Sequence, residues 1–162
     1  MQRGVPSDAF RHLVGAYPSG VTVVTTRAAD SAPWGFTASS CISVSLVPPL
    51  VLVSLDTKAD CFPAFSTTEA FVVNILSASQ KEIAKRFATR GIDKFAGVAH
   101  SPGEHTGAPI LDGAAAHLEC AVHERVAAGD HVLLIGRVTA GHRAEAAPLV
   151  YHPRAFGRVQ SE

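Results

Sequence analysis

Apolar positions along the chain follow two periods, and the two alternate in blocks. Phe10, Leu13, Val14 and Tyr17 fall at helical spacing behind Ser7 or Asp8, either of which can cap a helix, and Pro18-Ser19-Gly20 stops it. Residues 21–26 (VTVVTT) are β-branched throughout and predict a strand. A turn over 28–33 leads into a longer extended segment, 34–46, in which Ile42, Val44 and Leu46 alternate with Ser43 and Ser45. Pro48-Pro49 interrupts it, and residues 50–55 (LVLVSL) predict a third strand. Residues 56–68 read as irregular, with one short helix before Pro63. Residues 70–76 (AFVVNIL) predict a fourth strand. Ser79 and Glu82 then have capping-box spacing, and Ile83, Ala84 and Phe87 supply the inner face of a helix. The Gly-rich stretch 91–113 predicts a long loop. Residues 115–126 and 131–139 predict two strands around the hairpin turn Ala128-Gly129-Asp130, and 148–151 a last short one.

Strands that follow one another without regular helical crossovers predict a mostly antiparallel sheet or barrel rather than a doubly wound parallel sheet. The sum is about six or seven strands and two or three helices. The strands at 50–55 and 132–135 are apolar on both faces. One face is core, and the other needs a helix or another subunit over it, so a homodimer is the economical expectation. A length of 162 residues predicts one domain spanning 1–162.

Composition narrows the function. With 14 Lys+Arg against 14 Asp+Glu the formal net charge is zero, without the basic excess that phosphate neutralisation requires, so no nucleic-acid partner is expected. The longest uncharged apolar run, 46–55, is broken by two prolines and falls short of the ~20 residues of a membrane helix. The first ten residues contain Pro6 and Asp8 and no continuous apolar stretch, so no signal peptide is expected and the expected compartment is the cytoplasm. Cys41, Cys61 and Cys120 are widely spaced, with no CxxC pair, and read as buried or half-buried thiols. No GxGxxG follows a strand, and neither GxxxxGK[ST] nor GxSxG occurs. His117 and His123 share a strand but lie roughly 20 Å apart at about 3.3 Å per residue. His117 and Glu119 share a face, for which a polar strand surface is the simpler account, and no metal is expected.

The unusual stretch is 35–55, GFTASSCISVSLVPPLVLVSL. It carries no charge, yet Thr37, Ser39, Ser40, Ser43, Ser45 and Ser54 are hydroxyls. A solvated strand face usually recruits Lys and Glu as well. A neutral, hydroxyl-rich edge suits a flat polar ligand with many heteroatoms.

Several landmarks occur in order: Tyr17-Pro18-Ser19-Gly20-Val21-Thr22-Val23-Val24-Thr25, Gly35-Phe36-Thr37-Ala38-Ser39-Ser40, Ser43-Val44-Ser45-Leu46 before Pro48-Pro49-Leu50-Val51, Phe71-Val72-Val73-Asn74-Ile75-Leu76, Phe87-Ala88, Gly129-Asp130-His131, and Pro148-Leu149-Val150-Tyr151. With this order and spacing the chain resembles the short-chain flavin reductases, the reductase components of two-component flavin-dependent monooxygenases.

That resemblance implies an FMN-binding split barrel, a dimeric antiparallel Greek-key barrel with flavin near the subunit interface. It implies reduction of FAD or FMN by NAD(P)H, with hydride transfer to flavin N5, and supply of reduced flavin to a partner monooxygenase by diffusion. By the family pattern Thr37, Ala38, Ser39, Ser40 and Cys41 run along the isoalloxazine ring. Ser54, Asp56, Thr57, Lys58 and Ala59 lie by the ribityl and phosphate groups, with Phe87 near the same tail. His131 is the catalytic candidate beside the nicotinamide, and Tyr151 and Arg154 belong to the pocket of the facing subunit. No basic clamp for a 2′-phosphate is evident, which favours NADH over NADPH. Val47 replaces a common Asp before Pro48-Pro49, and Ser39 stands where the family often has Asn. Asp56 and Asp60 beside a phosphate are tolerable only if they point away or Lys58 dominates.

Read without the resemblance, His131 is equally a strand-end histidine after a turn, Lys58 a solvated loop lysine, and Phe87 a core residue. A non-catalytic flavin carrier or sensor of the same fold is the alternative function.

Overall fold

The computed structural model of the chain describes residues 4–152 and 155–160. In chain order its elements are α1 (Ser7–Val14), β1 (Ser19–Gly20), β2 (Thr22–Arg27), β3 (Pro33–Ala38), β4 (Ile42–Leu46), β5 (Pro49–Asp56), α2 (Phe62–Thr67), β6 (Ala70–Ile75), α3 (Lys81–Ala88), β7 (His100–Pro102), β8 (Pro109–Leu111), β9 (Ala116–Ala128), β10 (His131–Arg143), β11 (Leu149–Tyr151) and β12 (Phe156–Arg158).

Seven strands form one antiparallel sheet in the order β3-β2-β6-β9-β10-β5-β4. The β-branched run of β2 is buried along most of its length, because it lies between β3 and β6. The long strands β9 and β10 meet at a two-residue turn, where Gly129 takes φ 64°, a conformation a side chain would resist. Gly136, beside a register shift in β10, is fixed by space. A Cβ there would lie 2.4 Å from Cζ of Phe71.

Four strands separate β3 from β5 in the sheet order, yet Phe36 and Ala38 of β3 share a core with Val51, Val53 and Leu55 of β5. The sheet therefore curls until its two ends approach, and Phe65 of α2 fills the middle, edge-on to Phe36 at 5.1 Å. The Ser40 hydroxyl accepts the Ser54 N–H at 2.9 Å and ties the ends together. A second core on the other side of β2 joins Val21, Val23 and Leu76 to Ala84 and Phe87 of α3 and to Phe95.

Several local expectations are corrected. The extended segment 34–46 breaks between β3 and β4. The short helix α2 starts at Phe62 and holds Pro63 in its first turn, where no intrahelical N–H is needed, rather than ending before it. The capping box does not form. Gln80 occupies the cap position and accepts the Ser77 N–H at 3.0 Å, while Glu82 pairs with Lys85 at 2.8 Å. Pro6, not Ser7 or Asp8, precedes the first turn of α1, with no side-chain cap. The long loop 91–113 contains the β7–β8 pair, anchored by buried Asn74, whose Nδ2 donates to Val23 O at 3.0 Å and whose Oδ1 accepts the Leu111 N–H at 2.8 Å. The strand expected last, β11, is followed by β12 and lies between β1 and β12 in a separate small sheet.

Helix α1 buries none of its residues, and Phe10, Leu13, Val14 and Tyr17 are exposed. No described helix is long and apolar enough to cross a membrane.

Candidate functional site

Where the ends of the curled sheet approach, a cleft of about 220 Å³ opens. β3 contributes Phe36 and Thr37, β5 contributes Ser54 to Asp56, the following turn Ala59 and Asp60, and the start of β10 contributes His131. The end of α3 and the segment after it add Phe87, Ala88, Arg90 and Lys94. Seven residues expected from the sequence thus converge: Thr37, Ser54, Asp56, Ala59, Asp60, Phe87 and His131.

Their contacts define what each can do. The Thr37 hydroxyl donates to the Ala84 carbonyl at 2.6 Å, which fastens β3 to α3 and leaves its oxygen lone pairs for a ligand. Phe87 is fully buried and edge-on to Phe95, so its ring is core and forms the floor beneath β3. A Cβ on Gly35 would lie 2.8 Å from that ring, so glycine is required for the close approach.

The two aspartates are already engaged. Asp56 accepts the Lys58 N–H at 2.8 Å and lies 3.2 Å from the Arg90 guanidinium. Asp60 accepts the Gly91 N–H at 2.8 Å. Both carboxylates thus join the β5–α2 turn to the segment after α3, which lessens their opposition to a phosphate. Thr57 and Lys58 are exposed at the rim rather than in the cleft wall. The Thr57 N–H and hydroxyl both donate to the Asp130 carbonyl at 3.0 Å.

His131 pairs with Asp56 in the β10–β5 register and places its Nδ1 2.7 Å from Asp130 Oδ1. That hydrogen bond holds the Asp130 carboxyl below its usual range. The contact leaves Nε2 as the ring atom available to a ligand.

Other expected residues lie elsewhere. Ala38 is buried, and its carbonyl accepts the Thr22 hydroxyl at 3.0 Å. Cys41 packs against the main core, and burial pushes its thiol pKa up. Burial likewise raises Cys61 to about 11 and Cys120 to about 12, which leaves both as inert thiols. Ser39 and Tyr151 line a different groove, of about 690 Å³, beside Phe10, Val14 and Tyr17. Arg154 lies outside the described residues. On the His117–Glu119 face, Glu119 turns inward and accepts three hydrogen bonds, from the His105 and Thr106 N–H groups and the Thr106 hydroxyl. It braces a loop.

Sequence reasoning missed Arg90 and Lys94 as lining residues. Lys94 reaches the Phe87 carbonyl at 2.9 Å and the Gly35 carbonyl at 3.3 Å. The available signal was the cluster of cations Lys85, Arg86, Arg90 and Lys94 in a chain with only 17% charged residues.

The cleft joins an apolar wall (Phe36, Leu55) to hydroxyls, an imidazole and two cations. That donor set fits a flat ring with polar edges and an anionic tail. Its volume is below the roughly 300–1,000 Å³ of a site that encloses a small molecule.

Fold and cleft together define an antiparallel β protein with hydroxyls, an imidazole and two cations gathered where its sheet ends approach. Residues 14–160 match the family described as flavin reductase like domain. The chain belongs to that family. It is 44% identical over 157 residues to the actinorhodin polyketide dimerase of Streptomyces coelicolor, covering 94% of this chain and 86% of that protein. It is 40% identical to the flavin reductase (NADH) of Kitasatospora aureofaciens, covering 95% and 82%. It is 39% identical to the reductase component of the flavin-dependent trigonelline monooxygenase of Acinetobacter baylyi, covering 91% of this chain but only 47% of that protein. Among solved structures, the NADH:FAD oxidoreductase of Streptomyces globisporus, in complex with NAD and FAD fragments, superposes with a TM-score of 0.90 at 36% identity, covering 99% of this chain and 98% of that one.

Proposed function

We propose that this protein is an NADH-dependent flavin reductase that reduces FAD or FMN and releases reduced flavin to a partner monooxygenase by diffusion. The observation that carries this reading is the convergence of Thr37, Ser54, Asp56 and His131, from three strands distant in sequence, around one cleft edged by Arg90 and Lys94.

Hydride transfer from nicotinamide to flavin is chemistry that the two cofactors supply between themselves, so the protein needs neither nucleophile nor triad. The chain's own contribution is position and polarity. Backbone N–H groups of residues 37–41 hold the polar edge of the ring, where donors favour the added negative charge. Ala38 and Cys41 take part through the backbone alone, since their side chains pack inward. Ser54 and the turn from Asp56 to Ala59 flank the ribityl chain. Lys58, Arg90 and Lys94 offset the phosphate charge. His131 orients the nicotinamide carboxamide through Nε2, with Asp130 fixing the ring.

The same reading makes the sheet a Greek-key split barrel and the active species a homodimer. The bare apolar face of α1 and the exposed Ile42, Val44, Leu46 and Val47 lie against the second copy. Tyr151 and Arg154 then serve the pocket of the facing subunit. Sedimentation at micromolar concentration tests this arrangement, and a stable monomer contradicts it.

The function is tested by mixing purified protein with each pairing of NADH or NADPH with FAD or FMN in air. The expected result is loss of the reduced-nicotinamide absorbance band that depends on added flavin, fastest with NADH. No turnover with any pair overturns the reading.

A further inference from the structure

A second groove, of about 610 Å³, runs from the cleft between the β2–β3 connection and residues 91–96. It shares Asp60 and Lys94 with the cleft, so the two adjoin at those side chains. Trp34, at the start of β3, stands in its wall with 37% of its surface exposed. The other exposed aromatic residues among those described, Phe10, Tyr17 and Tyr151, all lie at the α1 groove. Ala32, Pro33 and exposed Ile92 complete an apolar wall around the indole.

Charge follows the same course. Lys94 lies where the two cavities meet, and Arg90 stands beside it in the cleft. The two acids that face the groove are turned to backbone donors. Asp60 accepts the Gly91 N–H, and Asp93 accepts those of Phe95 at 3.0 Å and Ala96 at 3.2 Å. Lys94, which also donates to the Phe87 and Gly35 carbonyls, and Arg90, paired with Asp56, bring two cations to the junction, and a flat apolar wall lies beyond it.

On the reading of the cleft as the flavin site, we infer that this groove takes the adenosine end of FAD, with the adenine stacked on Trp34 and the diphosphate at Lys94 and Arg90. FMN ends at the junction and gains nothing from the groove. Trp34 is then a specificity-determining residue that favours FAD over FMN. The lining residues shared with the flavin cleft favour FAD over NADH as the source of that adenosine.

Trp34 is the chain's single tryptophan, so its fluorescence reports on this groove alone. ADP, which lacks the flavin ring, should quench that emission in a saturable way, and ribose 5-phosphate should not. Equilibrium dialysis then compares FAD with FMN. In W34A the ratio of the FAD Kd to the FMN Kd should rise about tenfold, the usual size of one base–aromatic stacking contact, and W34F should restore most of the loss. The NADH KM should stay within about twofold. An unchanged ratio, or equal weakening of FAD and FMN, overturns the proposal. So does a rise in the NADH KM with FAD binding unaltered, which moves the groove to the nicotinamide dinucleotide. Because the dialysis needs no turnover, failure of the reductase reading registers separately, as absence of NADH oxidation in the unaltered protein.

Discussion

The Arg90 guanidinium sits 3.2 Å from the Asp56 carboxylate and bridges the end of β5 to the segment that follows α3. Both side chains are substantially exposed, and an exposed ion pair contributes only about 0–1 kcal/mol to stability. Its consequence is placement: it holds one cation at the cleft and occupies one of the two acids that would repel a phosphate. Arg90→Ala should leave the melting temperature nearly unchanged while weakening FMN binding roughly tenfold, the scale of a lost charge-assisted hydrogen bond. Riboflavin, which has no phosphate, should bind the variant as it binds the parent. Equal weakening for FMN and riboflavin would remove Arg90 from the phosphate role.

His131 lies opposite Asp56 and is steadied by Asp130. His131→Ala should raise the NADH KM or slow flavin reduction about tenfold, with flavin affinity nearly unchanged. Stopped-flow reduction at saturating flavin separates the two effects. Parental kinetics in the variant would return His131 to a strand-end histidine.

Gly136 tests the packing of the sheet. Added atoms there meet Phe71 Cζ at 2.4 Å and Cys120 Cβ at 2.8 Å, and neither neighbour can retreat within a close-packed core. Gly136→Ala should destabilise the protein by about 1–3 kcal/mol. Urea denaturation measures it, and an unchanged midpoint would contradict the crowding.

Glu119 gives a pH dependence whose sign follows from its surroundings. Burial pushes its pKa up, but the hydrogen bonds from Thr106 and His105 outweigh that and hold the carboxyl below its usual 4.5. A folded-state pKa below the unfolded one stabilises the protein above the unfolded value, and the benefit is lost as pH falls through the folded value. Glu119→Gln should therefore lower the melting temperature at neutral pH, by an amount that corresponds to about 1–3 kcal/mol. The gap between parent and variant should narrow as pH falls below 4.5. A gap independent of pH would assign the loss to shape rather than charge.

The strands were legible wherever apolar and β-branched residues ran together, as in 21–26 and 70–76, because burial between neighbouring strands demands that pattern. The helix starts were less legible. Ser79 and Glu82 have the right spacing for a capping box, but Gln80 and Ser77 close the turn first, and Lys85 draws Glu82 away. Within the site, Thr37, Ser54, Asp56 and His131 could be named from sequence because local motifs mark them. Arg90 and Lys94 could not, since they reach the cleft only through the path of the chain after α3. Phe87 and Cys41 show the converse. The motifs mark both positions, but their side chains belong to the core.

The most direct test of the central claim is anaerobic reduction of free FAD or FMN by NADH, with flavin in large excess over protein and followed by loss of flavin absorbance. The account predicts many flavins reduced per protein chain, with one NADH consumed for each. Reduction that stops at one flavin per chain, or tight flavin binding with none reduced, would contradict it and make the protein a carrier.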